Sequence, residues 1–125
     1  MFQQLSVFLN TRIMIDLYSV LLENIRKRIP VSEQEFELIK PYFQPRRLKR
    51  KQVLVHAGTV CRYNAFVCSG CLRSYLLDQE GNEYIMQFAI RDWYITDMNS
   101  LFYGEPATLS IEAVEDSEVL LVDRS

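Results

Sequence analysis

Tyr63-Asn64-Ala65-Phe66-Val67-Cys68-Ser69-Gly70-Cys71-Leu72-Arg73-Ser74-Tyr75-Leu76-Leu77 is the stretch that decides the fold. Ala65–Cys68 is an apolar run too short for a helix, and Gly70 bounds it, so it predicts a strand. Leu72–Leu77 predicts a second strand and Glu83–Ala89 a third. Between these two lies Asp78–Asn82, where Gly81 can take the positive φ that closes a short hairpin. Working outward, Leu48 and Val53–Val55 lead into a turn at Gly58. Trp93–Ile95, Leu109–Ala113 and Glu118–Val122 read as further short strands. No helix of 10–15 residues separates them, which argues against βαβ units. Many short strands with Gly-containing turns predict an antiparallel roll or small barrel.

The chain before this region is helical in pattern. Phe2, Leu5, Leu9, Ile13, Leu17, Leu21 and Ile25 recur every three or four residues and predict one apolar face over 2–29. Asn10 or Thr11 could cap a second helix within that span. Ser32 with Glu35 three residues on is a capping box, so another helix starts there and ends around Pro41 to Pro45. The expected organisation is a helical segment over 1–44 and a β-roll over 45–125. The fold class is mainly β with N-terminal helices.

The 125 residues suit one domain, and a composition 49% hydrophobic can furnish a core. Three cysteines cannot form a closed disulfide framework. No apolar run approaches the roughly 20 residues that span a bilayer, and no basic patch precedes an apolar stretch as in a signal peptide. A cytoplasmic domain without membrane contact is therefore expected. The net charge of -2 hides an asymmetry: residues 1–51 hold ten bases and five acids, residues 52–125 four bases and eleven acids. Arg46, Arg47, Lys49, Arg50 and Lys51 fill five of six positions. They read as a nucleic-acid patch, as a solvated strand entrance, or as partners of the acidic half.

Little in the sequence demands catalysis. Cys68-Ser69-Gly70-Cys71 is a CxxC, but a redox pair needs a low-pKa thiolate, usually at a helix N-terminus, and this one lies between strands. His56 is the only histidine, too few for a cupin-type metal cluster. No P-loop or dinucleotide fingerprint occurs. The segment Arg91–Ala113 is more distinctive. After Trp93-Tyr94-Ile95, Thr96 or Asp97 can cap a helical turn over Met98–Phe102, which Gly104 and Pro106 close before the next strand. Such a turn can form a small concavity whose N–H groups hold an anion. The plainer reading is a local cap, with Trp93, Leu101 and Phe102 packed in the core.

These segments, taken in order, resemble the effector domain of the Crp/Fnr superfamily of bacterial transcription regulators, the catabolite-activator and fumarate–nitrate-regulator proteins. Leu54-Val55-His56-Ala57-Gly58 resembles the family's first strand and turn. Tyr63–Tyr75 resembles its F-V-x-x-G-x-x-R-x-Y strand pair. Asp92–Asp97 stands where such domains open the phosphate-binding cassette, and Ala113–Leu120 resembles the closing A-x-x-D-S-E-V-L strand. The resemblance covers about residues 32–125. It implies a double-stranded β-helix (a jelly roll, cupin-like and cyclic-nucleotide-binding-domain-like), a homodimer, and duplex-DNA contact through a C-terminal dimer helix and winged helix-turn-helix beyond this sequence.

The resemblance also implies an effector pocket, with Thr96, Asp97, Arg73, Trp93, Ala107 and Thr108 as its candidate residues. Nucleotide-binding members open the cassette with Gly-Glu and place an arginine about ten residues later. Here the pair is Thr96-Asp97, the tenth position is Ala107, and no basic residue occurs from Asp92 to Asp123. A buried phosphate needs compensating charge, so a degenerate cassette that binds cyclic nucleotide weakly or not at all is expected. The effector would then be an unidentified small molecule, with no cofactor assigned. An iron–sulfur cluster would want four cysteines. The expectation is a regulatory, non-enzymatic domain; the alternative is a small cupin-like metal-binding protein or enzyme.

Overall fold

The computed structural model describes residues 17–123. The predicted helical stripe over 1–16, including the cap at Asn10 or Thr11, lies outside the described residues. Within them, 17–26 is helical (α1) and turns off over 27–29, before Pro30. The second helix, Glu33–Ile39 (α2), starts at the predicted box. Ser32 Oγ accepts from Glu35 N–H, and Glu35 Oε1 accepts from Ser32 N–H, both at 3.1 Å. A 3₁₀ turn, Lys40–Tyr42, with Pro41 in its first turn, delivers the chain into the sheets.

Eight strands follow: β1 (Phe43–Leu48), β2 (Val53–Val55), β3 (Tyr63–Ser69), β4 (Leu72–Leu77), β5 (Glu83–Ala89), β6 (Tyr94–Ile95), β7 (Ser110–Ala113) and β8 (Ser117–Asp123). A short helix, α3 (Met98–Tyr103), separates β6 from β7. They form two four-stranded antiparallel sheets, ordered β1-β8-β3-β6 and β2-β7-β4-β5. Among the described residues no closed barrel forms. β1 begins at Phe43, earlier than the sequence pattern placed a strand. Pro45 sits within it opposite Leu120, which is tolerated because β1 is an edge strand and Pro has no N–H to offer a ladder.

Two cores explain the apolar patterns. Between the sheets, Leu48, Ala65, Val67, Leu72, Ile95, Ile111, Val119 and Leu121 are buried together. On the other face of the first sheet, Phe66, Cys68 and Leu120 lie under Leu17, Val20 and Leu21 of α1 and Phe36 of α2. Alternate residues of β3 and β8 thus point into different cores. That is why Ala65–Cys68 is continuously apolar: it is buried on both faces. Phe66 anchors the outer core, its ring centroid 4.9 Å from that of Tyr94. The β3–β4 turn needs Gly70, at φ +89° with Ser117 backbone 2.7 Å from where a Cβ would stand.

Candidate functional site

The segment between β6 and β7 is densely hydrogen-bonded, and Asp97 organises it. Asp97 is the N-cap of α3, with its Oδ1 accepting from Ser100 N–H at 3.1 Å. Its Oδ2 reaches across to the β7 side and accepts from Thr108 N–H at 2.9 Å, Leu109 N–H at 3.1 Å and Thr108 Oγ1 at 3.4 Å. The residue is 4% exposed. Burial alone would raise its carboxyl pKa, but the bonds from Ser100, Leu109 and Thr108 outweigh it and leave the pKa lowered. Among the described residues this buried carboxylate is thus held charged chiefly by backbone N–H groups.

The neighbours complete a closed network. Thr96 Oγ1 donates to Tyr63 O at 2.8 Å and lies 3.3 Å from Cys61 Sγ. Ser100 Oγ accepts from Cys61 N–H at 2.7 Å and donates to Glu105 O at 2.5 Å. Ala107 exchanges backbone bonds with the β2–β3 connection: its N–H donates to Thr59 O and its O accepts from Gly58 N–H. Its methyl group is buried in the inter-sheet core. Gly104, in the left-handed region at φ 69°, ends α3 with its N–H on Ser100 O. The fold thus brings Thr96, Asp97, Ala107 and Thr108 together.

It does not bring Arg73 to them. Arg73 alternates with the core residues Leu72 and Ser74 on β4 and so faces the opposite side of its sheet. Its Nε donates to Glu112 Oε1 at 2.7 Å, one terminal nitrogen reaches Glu83 Oε2 at 2.8 Å, and its guanidinium lies 4.6 Å from the Tyr75 ring centroid. The bond to Glu112, supported by Glu83, raises the guanidinium pKa above its ordinary value. Trp93 and Phe102 also depart from expectation. They are 52% and 62% exposed and fill neither core nor cassette, whereas Leu101 is buried. In α3 the inward positions are taken by Ser100 and Leu101, which leaves Phe102 outside.

Cys68 and Cys71 are free thiols. Burial, then Glu118, pushes Cys68 up to about 12, and burial with Glu115 raises Cys71, the reverse of an activated pair. Among the described residues no three His, Cys, Asp or Glu side chains converge as a metal site, and His56 is exposed at the end of β2. In the basic run, Arg47 pairs with Glu118 at 3.6 Å and Arg50 N–H bonds Asp116. An open cleft of ≈ 380 Å³ beside it is lined by Arg47 and Lys49 but also by Asp116 and Glu118. The long-range partners of Asp97, eleven and twelve residues on, were beyond sequence reasoning, although Asp97 as a cap was legible.

Two facing antiparallel sheets with a capped helical cassette between β6 and β7 are the architecture of a known domain family. The chain belongs to the cyclic nucleotide-binding domain family, whose model matches residues 45–125. No curated protein matches it in sequence. Among solved structures it is similar to the catabolite activator protein of Thermus thermophilus, at 26% identity and TM-score 0.66, covering 75% of this chain and 44% of that one. The sensor domain of the transcriptional regulator DNR from Pseudomonas aeruginosa matches at 15% identity and TM-score 0.72, covering 86% and 73%. The regulatory domain of Toxoplasma gondii PKA, solved with cAMP, matches at 16% identity and TM-score 0.68, covering 87% and 41%. The latter two likenesses are of fold. The chain spans less than half the length of the Thermus protein. No described helix is long and apolar enough to cross a membrane.

Proposed function

We propose that this chain is the effector-sensing and dimerising domain of a Crp/Fnr-type transcription regulator. Its two sheets are read as the double-stranded β-helix expected over 45–125, with the described helices α1 and α2 of the expected helical segment 1–44 packed on the first sheet. Duplex-DNA contact belongs to a part of the regulator outside these residues, and a cytoplasmic location goes with that role. The candidate effector pocket is Thr96, Asp97, Ala107 and Thr108, with Trp93 at its exposed rim; Arg73 would have to leave Glu112 and Glu83 to take part. The family match and the 26% identity to the Thermus activator support the regulatory reading.

One observation carries the finer claim that the cassette is degenerate. The N–H groups of Ser100, Thr108 and Leu109 already hold an anion, the Asp97 carboxylate. The position expected to supply a phosphate-binding arginine is Ala107, buried in the core. A phosphate entering here would meet a charged carboxylate and find no cation, and like charges at close range in a dry site repel strongly. Isothermal titration calorimetry with cyclic AMP and cyclic GMP is expected to show no saturable binding. Submicromolar affinity for either would overturn this reading.

A further inference from the structure

The cleft of ≈ 380 Å³ beside β1 lies where the β1–β2, β3–β4 and β7–β8 turns meet. Its volume falls within the roughly 300–1,000 Å³ of small-molecule sites. Arg47 and Lys49 line it from the β1 side, Asp116 and Glu118 from the β8 side, and Ser69 from the end of β3. The register sets Arg47 opposite Glu118, and the 3.6 Å approach of Arg47 Nε pairs the two. The other two charges are left over, and they are of opposite sign. Among the described residues the Lys49 ammonium has no ion-pair or hydrogen-bond partner, and Asp116 uses only Oδ1, which accepts from Arg50 N–H at 2.9 Å. Lys49 and Asp116 line one cleft without closing into an ion pair with each other. The backbone that carries them is fixed. Lys49 N–H donates to Gln52 Oε1 at 3.0 Å, and Lys49 O accepts from Gln52 N–H at 2.9 Å, which closes the β1–β2 turn. Ser117, 3% exposed, ties the other two turns together: its Oγ accepts from Cys71 N–H at 3.0 Å and donates to Glu115 O at 2.8 Å.

We propose that this cleft binds a small zwitterion, a free α-amino acid. The ligand carboxylate meets the Lys49 ammonium and the terminal nitrogens of Arg47, whose own ion pair uses Nε. The ligand ammonium meets Asp116 Oδ2. The ligand side chain lies along the aliphatic stems of Arg47 and Lys49, as apolar groups do against long basic side chains. The charge pattern selects this class. An anion alone would face Asp116 and Glu118, a cation alone would face Arg47 and Lys49, and like charges at close range repel. A phosphodiester chain meets the same two carboxylates, so the basic run does not read as a nucleic-acid surface at this cleft. The cleft shares no residue with the cassette, so this second site stands independently of how the cassette is used.

The test is ligand-observed NMR and calorimetry of the full 125-residue chain with L-leucine, L-glutamine and L-phenylalanine. At least one is expected to saturate, with a Kd of about 0.1–1 mM. Its N-acetyl form, which lacks the ammonium, and its amide, which lacks the carboxylate, should each bind about tenfold more weakly or worse. These comparisons use the wild-type chain and need no variant to fold. Lys49→Gln and Asp116→Asn then remove one end each. Both should keep the wild-type melting temperature, since Lys49 spends no side-chain bond and an asparagine Oδ1 can still accept from Arg50 N–H. Both should weaken the free amino acid about tenfold or more, whereas Lys51→Gln, outside the cleft lining, should not. Three outcomes overturn the proposal: no saturation by any of the three at about 10 mM, a blocked form that binds as tightly as the free amino acid, or an affinity unmoved by both cleft variants.

Discussion

Asp97→Asn tests whether a carboxylate serves here as an internal anion. Asp97 Oδ1 takes Ser100 N–H; Oδ2 takes Thr108 N–H, Leu109 N–H and the Thr108 hydroxyl. A carboxamide offers one oxygen. If that oxygen keeps Thr108 and Leu109, the amide –NH₂ faces the Ser100 donor; if it keeps Ser100, the –NH₂ faces the other two. Either way one or two N–H groups at a buried residue lose their acceptor, at about 1–3 kcal/mol each. The expected loss is about 2–4 kcal/mol, or roughly 8–16 °C in melting temperature for a domain of this size. Asp97→Ala also removes the helix cap and should cost about 4–5 kcal/mol.

Urea unfolding followed by fluorescence of Trp93, the one tryptophan, measures both losses. The pH dependence supplies a second reading. Asp97 has a lowered pKa in the folded state, so its contribution is fully present above the unfolded value of about 3.9 and is lost as pH falls through the folded value. The gap between wild type and Asp97→Asn should therefore be constant from neutral pH to about 5 and narrow below about 4. A gap under about 1 kcal/mol at neutral pH, or one that does not narrow in acid, would refute the internal-anion account.

Other consequences follow from single residues. Gly70→Ala forces a left-handed backbone and drives its Cβ into Ser117 Oγ and the Asp116 carbonyl, 2.7 Å away. A loss of about 3 kcal/mol or more in urea is expected, whereas Gly58→Ala, with nothing within 4 Å, should show the φ strain alone. In thiol-labelling kinetics of the native chain near pH 8, Cys71 should react well before Cys68, whose pKa is pushed up to about 12 by burial under α1. Equal rates would mean that α1 does not cover Cys68.

What the sequence made legible follows the range of the interactions. The Ser32–Glu35 box, the Gly81 turn and the Asp97 cap are set within four residues, and each appears as the pattern requires. β1 was concealed because its pattern mixes Pro45 with two arginines, which reads as a connection unless the strand is known to be an edge. Arg73 was misleading for a related reason. An arginine near a cassette invites a ligand role, but its partner Glu112 stands opposite it only through the β4–β7 register, and Glu83 reaches it from the start of β5. Trp93 and Phe102 have core-like chemistry, and only the turn of α3 and the Trp93–Ile90 backbone bond turn them outward. Burial in a small two-sheet domain is decided by which face a residue occupies, and that depends on long-range register.

Asp97 and Ala107 are best understood as one device. The geometry of α3 and the start of β7 aims three N–H groups at one point, and such a cluster must hold an acceptor or bear the cost of burial. With an arginine nearby, a ligand phosphate could be that acceptor. With alanine at 107 and no base from Asp92 to Asp123, a carboxylate supplied by the chain itself keeps the cassette folded. The carboxylate thus satisfies from within the chain the N–H groups that would otherwise need an outside acceptor. Trp93, half exposed beside this network, is the candidate residue that the internal anion leaves open.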